Sequence, residues 1–120
     1  MSCPFCNYEK PIMENSYAIA IYDKYPVNPG HMLIIPKRHF NNYFEATAAE
    51  KEAIWTLVDE CKCMLEEKYQ PDGFNVGINV GAAAGQTIMH LHVHLIPRYK
   101  GDIDNPTGGV RGVIPEKRIY

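Results

Sequence analysis

The sequence has 120 residues, the size of one ordinary domain and too few for two independent cores, so residues 1–120 are read as a single folding unit. Hydrophobic residues make up 46% and charged residues 22%, which excludes the disordered class and predicts a buried core. Lys and Arg number 12 against 14 Asp and Glu, a net charge of -2, so there is no basic excess to neutralise a duplex backbone, and nucleic acid is not an expected partner. No apolar run approaches the ~20 residues of a membrane span. The opening MSCPFCNYEK lacks the charged-then-apolar layout of a signal peptide, so a cytoplasmic location and no membrane association are expected.

The four cysteines fall as two close pairs, Cys3/Cys6 and Cys61/Cys63, which suits metal binding or burial better than disulfides between distant segments. Residues 17–22 (YAIAIY) are aromatic and apolar enough for a strand, which ends at the polar turn DKYPVNPG. A second strand is predicted over residues 31–35, closed by Pro36 and the charged KRH. From Thr47 to Tyr69, Ile54, Leu57, Val58, Cys61, Met64 and Leu65 recur at three and four, one buried stripe of a long helix. Thr47 and Glu50 form a capping-box pattern, and Pro71 with Gly73 marks the end. Cys61 lies on the stripe and Cys63 off it, so burial and exposure account for them.

Two further strands are predicted, residues 74–80 and 89–97, joined by the small-residue loop GAAAGQT. Short connections between most strands and one long helix point to an α+β fold with an antiparallel sheet. The tail, residues 101–120, is rich in Gly and Pro and reads as irregular structure; Arg111 in it is either a phosphate contact, across a dimer, or part of a surface loop.

Three of the five histidines, His90, His92 and His94, alternate with Leu91, Val93 and Leu95. On a strand all three imidazoles project to one side, ~7 Å apart, whereas a helix would turn His92 away from the other two. Three readings of such a row are open: a solvated strand face, a zinc site built on His-x-His, and a nucleophile with its helpers. No HExxH helix supplies further ligands for a catalytic zinc.

The run HLHVHLI resembles the signature of the histidine triad family, and NPGHMLIIPKRH, GINVG and AGQTIMH stand at the family's separations from it. The resemblance extends from Cys3 to about Asp102. It implies a five-stranded antiparallel sheet with one long helix and a short one, extended across a homodimer. It also implies a nucleotide substrate, adenosine-containing by preference, attacked at its α-phosphorus by His92. Neutral imidazole is a competent nucleophile near pH 7 when its other nitrogen donates a hydrogen bond, for which a carbonyl of a neighbouring strand is the expected acceptor.

By the same resemblance, His94, Gln86, Thr87 and the small-residue loop's amides face the phosphate, and His31 helps orient that site. Asn79 lies near phosphate and ribose, and Asp23 accepts from the ribose hydroxyls. Phe5, Tyr8 and Tyr22 are candidates for the base pocket or for plain core. Cys3, Cys6, His39 and His90 resemble a structural Zn2+ site of bacterial-type members, tying the N-terminal segment (residues 1–16) to the sheet without taking part in chemistry. The resemblance implies dinucleoside polyphosphates, nucleoside phosphoramidates and aminoacyl or sulfated adenylates as substrate classes, which these residues do not separate. A non-catalytic nucleotide-binding scaffold and a hydrolase with zinc on the histidine row remain as alternatives.

Overall fold

A computed structural model describes residues 3–120; Met1 and Ser2 of the expected N-terminal segment lie outside it. Five antiparallel strands, β1 (Met13–Glu14), β2 (Ala18–Tyr22), β3 (Met32–Pro36), β4 (Gly73–Ile78) and β5 (Val93–Arg98), form one sheet in the order β1-β2-β3-β5-β4. Helix α1 (Ala48–Tyr69) connects β3 to β4 and packs on one face.

Alternation along the strands decides what each face carries. Ala18, Ala20, Met32, Ile34, Val93 and Leu95 point to the helix and form the main core with Ile54, Leu57, Val58, Cys61 and Leu65. Their neighbours Ile19, Ile21, Leu33 and Ile35 form a smaller cluster on the opposite face with Phe5. Among the described residues no α-helix covers that face, which leaves room for a site.

Strand boundaries differ from expectation at the histidine row. The predicted strand over residues 89–97 is laddered only from Val93, because β4 begins to pair at Ile78 and β3 reaches β5 only through Met32–Ile34. His90, in a bend, and His92 therefore lie in the lead-in to β5, held by Leu91 N–H donating to the Phe40 carbonyl at 2.7 Å. β1, two residues long, is too short to carry a period. Among the described residues there is no second α-helix. Short 3-10 turns at Tyr43–Glu45, Ala82–Ala84, Gly109–Val113 and Pro115–Lys117 take its place, and the last two give the tail local order. No helix of the described residues is long and apolar enough to cross a membrane.

The capping box of α1 is formed: Thr47 Oγ1 accepts from Glu50 N–H, and the Glu50 carboxylate accepts from Thr47 N–H. Sequence pattern does not predict that Glu50 is buried. It is accommodated because Arg38 Nε and Nη2 each donate to its carboxylate at 2.9 Å. The helix ends at Gln70 in left-handed geometry (φ 52), just before the Pro71 and Gly73 expected to stop it.

Arg38 holds the Glu50 carboxyl down at about 2. Its stabilising effect is therefore present above the ordinary carboxylate range, near pH ~4.3, and is lost as pH falls toward about 2. In urea denaturation at pH 7, Thr47→Ala is expected to lose about 1 kcal/mol and Glu50→Gln about 1–3 kcal/mol. The deficit of Glu50→Gln should shrink as the wild type is taken to pH 3 and below.

Candidate active site

Sheet register assembles the histidine face. Leu33 of β3 lies opposite His94 of β5, and Ile21 of β2 opposite Leu33, so these three side chains share one surface. The β2–β3 pairing continues outward, with Asp23 N–H donating to the His31 carbonyl at 3.0 Å, which brings Asp23 and His31 onto the same surface. Gly30 permits the tight turn into His31: its φ is 90, and a Cβ there would come within 3.1 Å of Pro97 and Tyr69.

His92 Nδ1 lies 2.9 Å from the carbonyl of His90. A carbonyl only accepts, so Nδ1 carries the hydrogen and Nε2 keeps its lone pair. The acceptor is thus two residues back on the same segment, rather than on the neighbouring strand expected, because no strand lies opposite at that point. The Phe5 ring meets the His92 ring edge-on at 5.2 Å, and His94 stands 5.1 Å away on the other side.

His31 is 2% exposed, and its Nδ1 accepts from Val27 N–H at 3.0 Å. Its hydrogen is therefore on Nε2, which donates to His94 Nδ1 at 3.0 Å and lies 3.4 Å from Asp23 Oδ2. His94 must then carry its own hydrogen on Nε2. Burial, reinforced by His92 and His31, pushes the His94 pKa down to about 4. Burial also lowers His31, against the opposing pull of Asp23. Donor atoms of Asp23, His31 and His94 are close enough to share a metal ion. Such an ion would need the His31 Nε2 lone pair and a proton on Nδ1, where Val27 N–H already points. The chemistry favours a chain of hydrogen bonds.

A cavity of about 520 Å3 opens over this row. Phe5, Tyr8, Ile21, Leu33 and Ile88 make its apolar end, and Asp23, Asn79, Thr87, His92 and His94 its polar side. Sequence reading missed Ile21, Leu33, Lys24 and Tyr25 as lining residues; the alternation within AIAIY and MLIIP carried the signal for the first two.

Two expected members lie elsewhere. Tyr22 points to the helix side, where its ring meets Tyr69 at 6.5 Å, because the period of two turns it away from Ile21 and Asp23. Gln86 is buried and braces its own loop: its side-chain oxygen accepts from Gly81 N–H, and its amide donates to the carbonyls of Asn41 and Ile88. The amides of Ala84, Gly85 and Gln86 likewise donate within the loop. Arg111 turns into the tail, donating to the carbonyls of Lys117 and Arg118.

Beside the cavity, Cys3, Cys6, His39 and His90 gather with their ligand atoms all within 4.8 Å of one another. His90 is fully buried, and its Nε2 donates to the Pro36 carbonyl at 2.8 Å, so the Nδ1 lone pair faces the cluster. That nitrogen lies 3.3 Å from Cys3 Sγ, 3.6 Å from Cys6 Sγ and 3.1 Å from His39 Nδ1. Two thiols and two imidazole lone pairs at these spacings match the edges of a tetrahedral zinc site with no open position. By contrast, Cys61 is buried in the core, its thiol pushed up to about 11, and is inert.

The depressed His94 pKa has a measurable consequence. Its imidazole should stay neutral at pH 6 and titrate near pH 4 in histidine NMR, whereas a midpoint near 6.5 would contradict the hydrogen-bond chain. The unfolded chain takes up that proton first, so this residue should lower stability as pH falls from about 6.5 to 4.

A family model described as HIT domain matches residues 6–101. The chain is 36% identical over 100 residues to an AP-4-A phosphorylase of Mycobacterium tuberculosis, covering 81% of this chain and 51% of that one. It is also 36% identical over 88 residues to a bis(5'-adenosyl)-triphosphatase of Dictyostelium discoideum, covering 73% and 59%. Other relatives carry only the family's name. Among solved structures, a Zn-bound histidine triad family protein from Mycobacterium smegmatis superposes with a TM-score of 0.70 at 33% identity, over 76% of this chain and 66% of that one. The chain thus spans half to two thirds of the length of these three proteins. With the fold, the histidine row and the family match in agreement, the chain belongs to the HIT domain family.

Proposed function

We propose that this chain is a nucleotide hydrolase or nucleotidyl transferase that works through a covalent nucleotidyl-histidine on His92. The observation that carries the reading is the His92 Nδ1–H bond to the His90 carbonyl, which in the neutral imidazole leaves the Nε2 lone pair free on a ring that lines the cavity. The Nε2 lone pair forms a bond to the α-phosphorus of an adenosine compound, and the leaving group departs with the electron pair of its bond to phosphorus. Water then attacks the same phosphorus, releasing the nucleotide and restoring His92. His94, Thr87 and Asn79 line the phosphate side of the cavity, Asp23 stands where ribose hydroxyls find an acceptor, and Phe5 and Tyr8 wall the slot for the base. His31 holds His94 in its tautomer. Gln86 shapes the loop from within.

Two relatives named for adenosine dinucleotides support the substrate class. Candidate substrates are dinucleoside polyphosphates and AMP phosphoramidates. We read Cys3, Cys6, His39 and His90 as holding an architectural zinc, supported by the Zn-bound relative and the donor geometry. The zinc carries no step of the reaction. A homodimer through β4 fits the sheet, since β4 is an edge strand paired only with β5 and needs covering. A location in the cytoplasm fits the two thiol pairs, which a reducing compartment keeps available for metal or burial.

In steady-state assays with diadenosine tetraphosphate and adenosine 5'-phosphoramidate, His92→Asn is expected to lose at least about 10^3-fold in kcat while still binding AMP. Activity that survives the substitution would refute the mechanism. Metal analysis should find one zinc per chain, and removing it with a chelator or by Cys3→Ser should lower Tm. Full Tm together with immediate loss of activity would instead indicate a catalytic metal.

A further inference from the structure

The ladder between β3 and β5 ends where Met32 lies opposite Leu95. Continuing that register would set Gly30 against Pro97, and Pro97 has no N–H to donate. Among the described residues, the turn that leads into β3, residues 23–31, therefore shares no backbone hydrogen bond with the end of β5. Side chains join the two instead. Asn28 Nδ2 donates to the Pro97 carbonyl at 3.0 Å and to Asp102 Oδ2 at 2.8 Å, and the Tyr99 hydroxyl donates to the Pro29 carbonyl at 2.7 Å. A carbonyl and a carboxylate only accept, so the orientation of the Asn28 amide is fixed and both of its hydrogens are used. Asp102 is itself held: Arg98 Nε and Nη2 donate to its two oxygens at 2.8 and 2.9 Å, and Tyr99 N–H donates to Oδ2 at 3.0 Å. Arg98 keeps that carboxyl well below the ordinary carboxylate range, so the anchor stays charged wherever histidines titrate.

The clamped turn carries the groups that place the hydrogens of two histidines. The Asn28 carbonyl accepts from His31 N–H at 3.1 Å, and the preceding residue, Val27, points its N–H at His31 Nδ1 at 3.0 Å. That second bond puts the His31 hydrogen on Nε2, from which it reaches His94 Nδ1 at 3.0 Å, so His94 presents an N–H on its own Nε2. The reversed pattern, with hydrogens on His31 Nδ1 and His94 Nδ1, sets the N–H of Val27 against that of the His31 ring and leaves a bare lone pair on His94 Nε2. A lone pair repels a phosphoryl oxygen, where an N–H binds it. Asp23 Oδ2, 3.4 Å from His31 Nε2, favours the first pattern as well, but on the proposed reading ribose hydroxyls compete for that carboxylate. The Val27 bond is then the hold that persists in the complex. Neither Asn28 nor Asp102 lines the cavity over His92.

We propose that Asn28 and Asp102 are positioning residues: from outside the cavity they clamp the β2–β3 turn to the end of β5, and so set the hydrogens of His31 and His94. Without the clamp the turn is bonded to the end of β5 only at Pro29, Val27 N–H leaves His31 Nδ1 for part of the time, and the two hydrogen patterns interchange. No contact to substrate is lost. What falls is the fraction of chains that offer a donor on His94. The inference rests on the reaction proposed at His92 only for its effect on rate.

The test uses the full chain, saturated with zinc and AMP and labelled with nitrogen-15 in its histidines, read by long-range proton–nitrogen correlation spectra at neutral pH. Steady-state kcat and KM for diadenosine tetraphosphate are measured alongside. In the wild type, His31 and His94 are both expected to show a hydrogen on Nε2 and an accepting Nδ1. Asn28→Ala should move the nitrogens of both rings toward averaged values and lower kcat roughly tenfold, with KM changed by less than about twofold. Asp102→Ala should do the same, and the double variant should be no worse than the poorer single one, since each removes one end of a single link. Nitrogen shifts that stay in place in Asn28→Ala would overturn the proposal, whether or not Tm falls, because a clamp that only stabilises leaves the tautomers alone. Shifts that move while kcat keeps its wild-type value would overturn the positioning role as well. If the wild type turns over no nucleotide, the reaction at His92 falls, and the nitrogen shifts alone then decide whether the clamp sets the tautomers.

Discussion

The pairing of β3 with β5 is the constraint on which everything else rests. Leu33 opposite His94 and Met32 opposite Leu95 put the imidazoles on the open face and the aliphatics against α1. A slip of one residue would exchange the two sets, burying His92 and His94 in the core and exposing Val93 and Leu95. The apolar content of the alternate positions is therefore what fixes the site. The geometry of the candidate site and the core packing are enforced by the same register, so neither can drift without the other.

His90 is where the candidate site meets the cysteine cluster. Its ring donates to Pro36 and turns Nδ1 toward Cys3 and Cys6, while its carbonyl receives the His92 hydrogen. Phe5, carried between those cysteines, packs against the His92 ring and walls the cavity. On the proposed reading, a metal held there would steady the segment whose carbonyl accepts the His92 hydrogen. The pair of buried His31 and half-buried His94 extends the same logic, each imidazole's hydrogen being assigned by the partner of its other nitrogen.

Much of this architecture is legible in the amino-acid sequence. The period of two in HLHVHL, the stripe from Ile54 to Leu65 and the Thr47–Glu50 cap are short-range patterns; the stripe and the cap form as read, and the period of two is laddered from Val93 onward. Asp23 and His31 stand out through the family resemblance, and strand register brings them beside His94. Orientation is what a linear pattern does not carry. Tyr22 is aromatic and next to the site in sequence, yet its parity turns it to the helix. Gln86 is polar and in the right loop, yet carbonyls and an amide of its surroundings claim its side chain. Glu50 has the spacing of a helix cap, and its burial depends on Arg38, twelve residues earlier, folding against it.

The central claim is that the unprotonated Nε2 of His92 attacks phosphorus. The most direct test is rapid mixing with a substrate in excess and quenching at high pH, where a histidine N–P bond survives, followed by intact-mass and peptide mapping. The account predicts one adenylyl group per chain, localised to His92 and absent from His92→Asn. Turnover with no adduct at any mixing time, or an adduct on another residue, would contradict it.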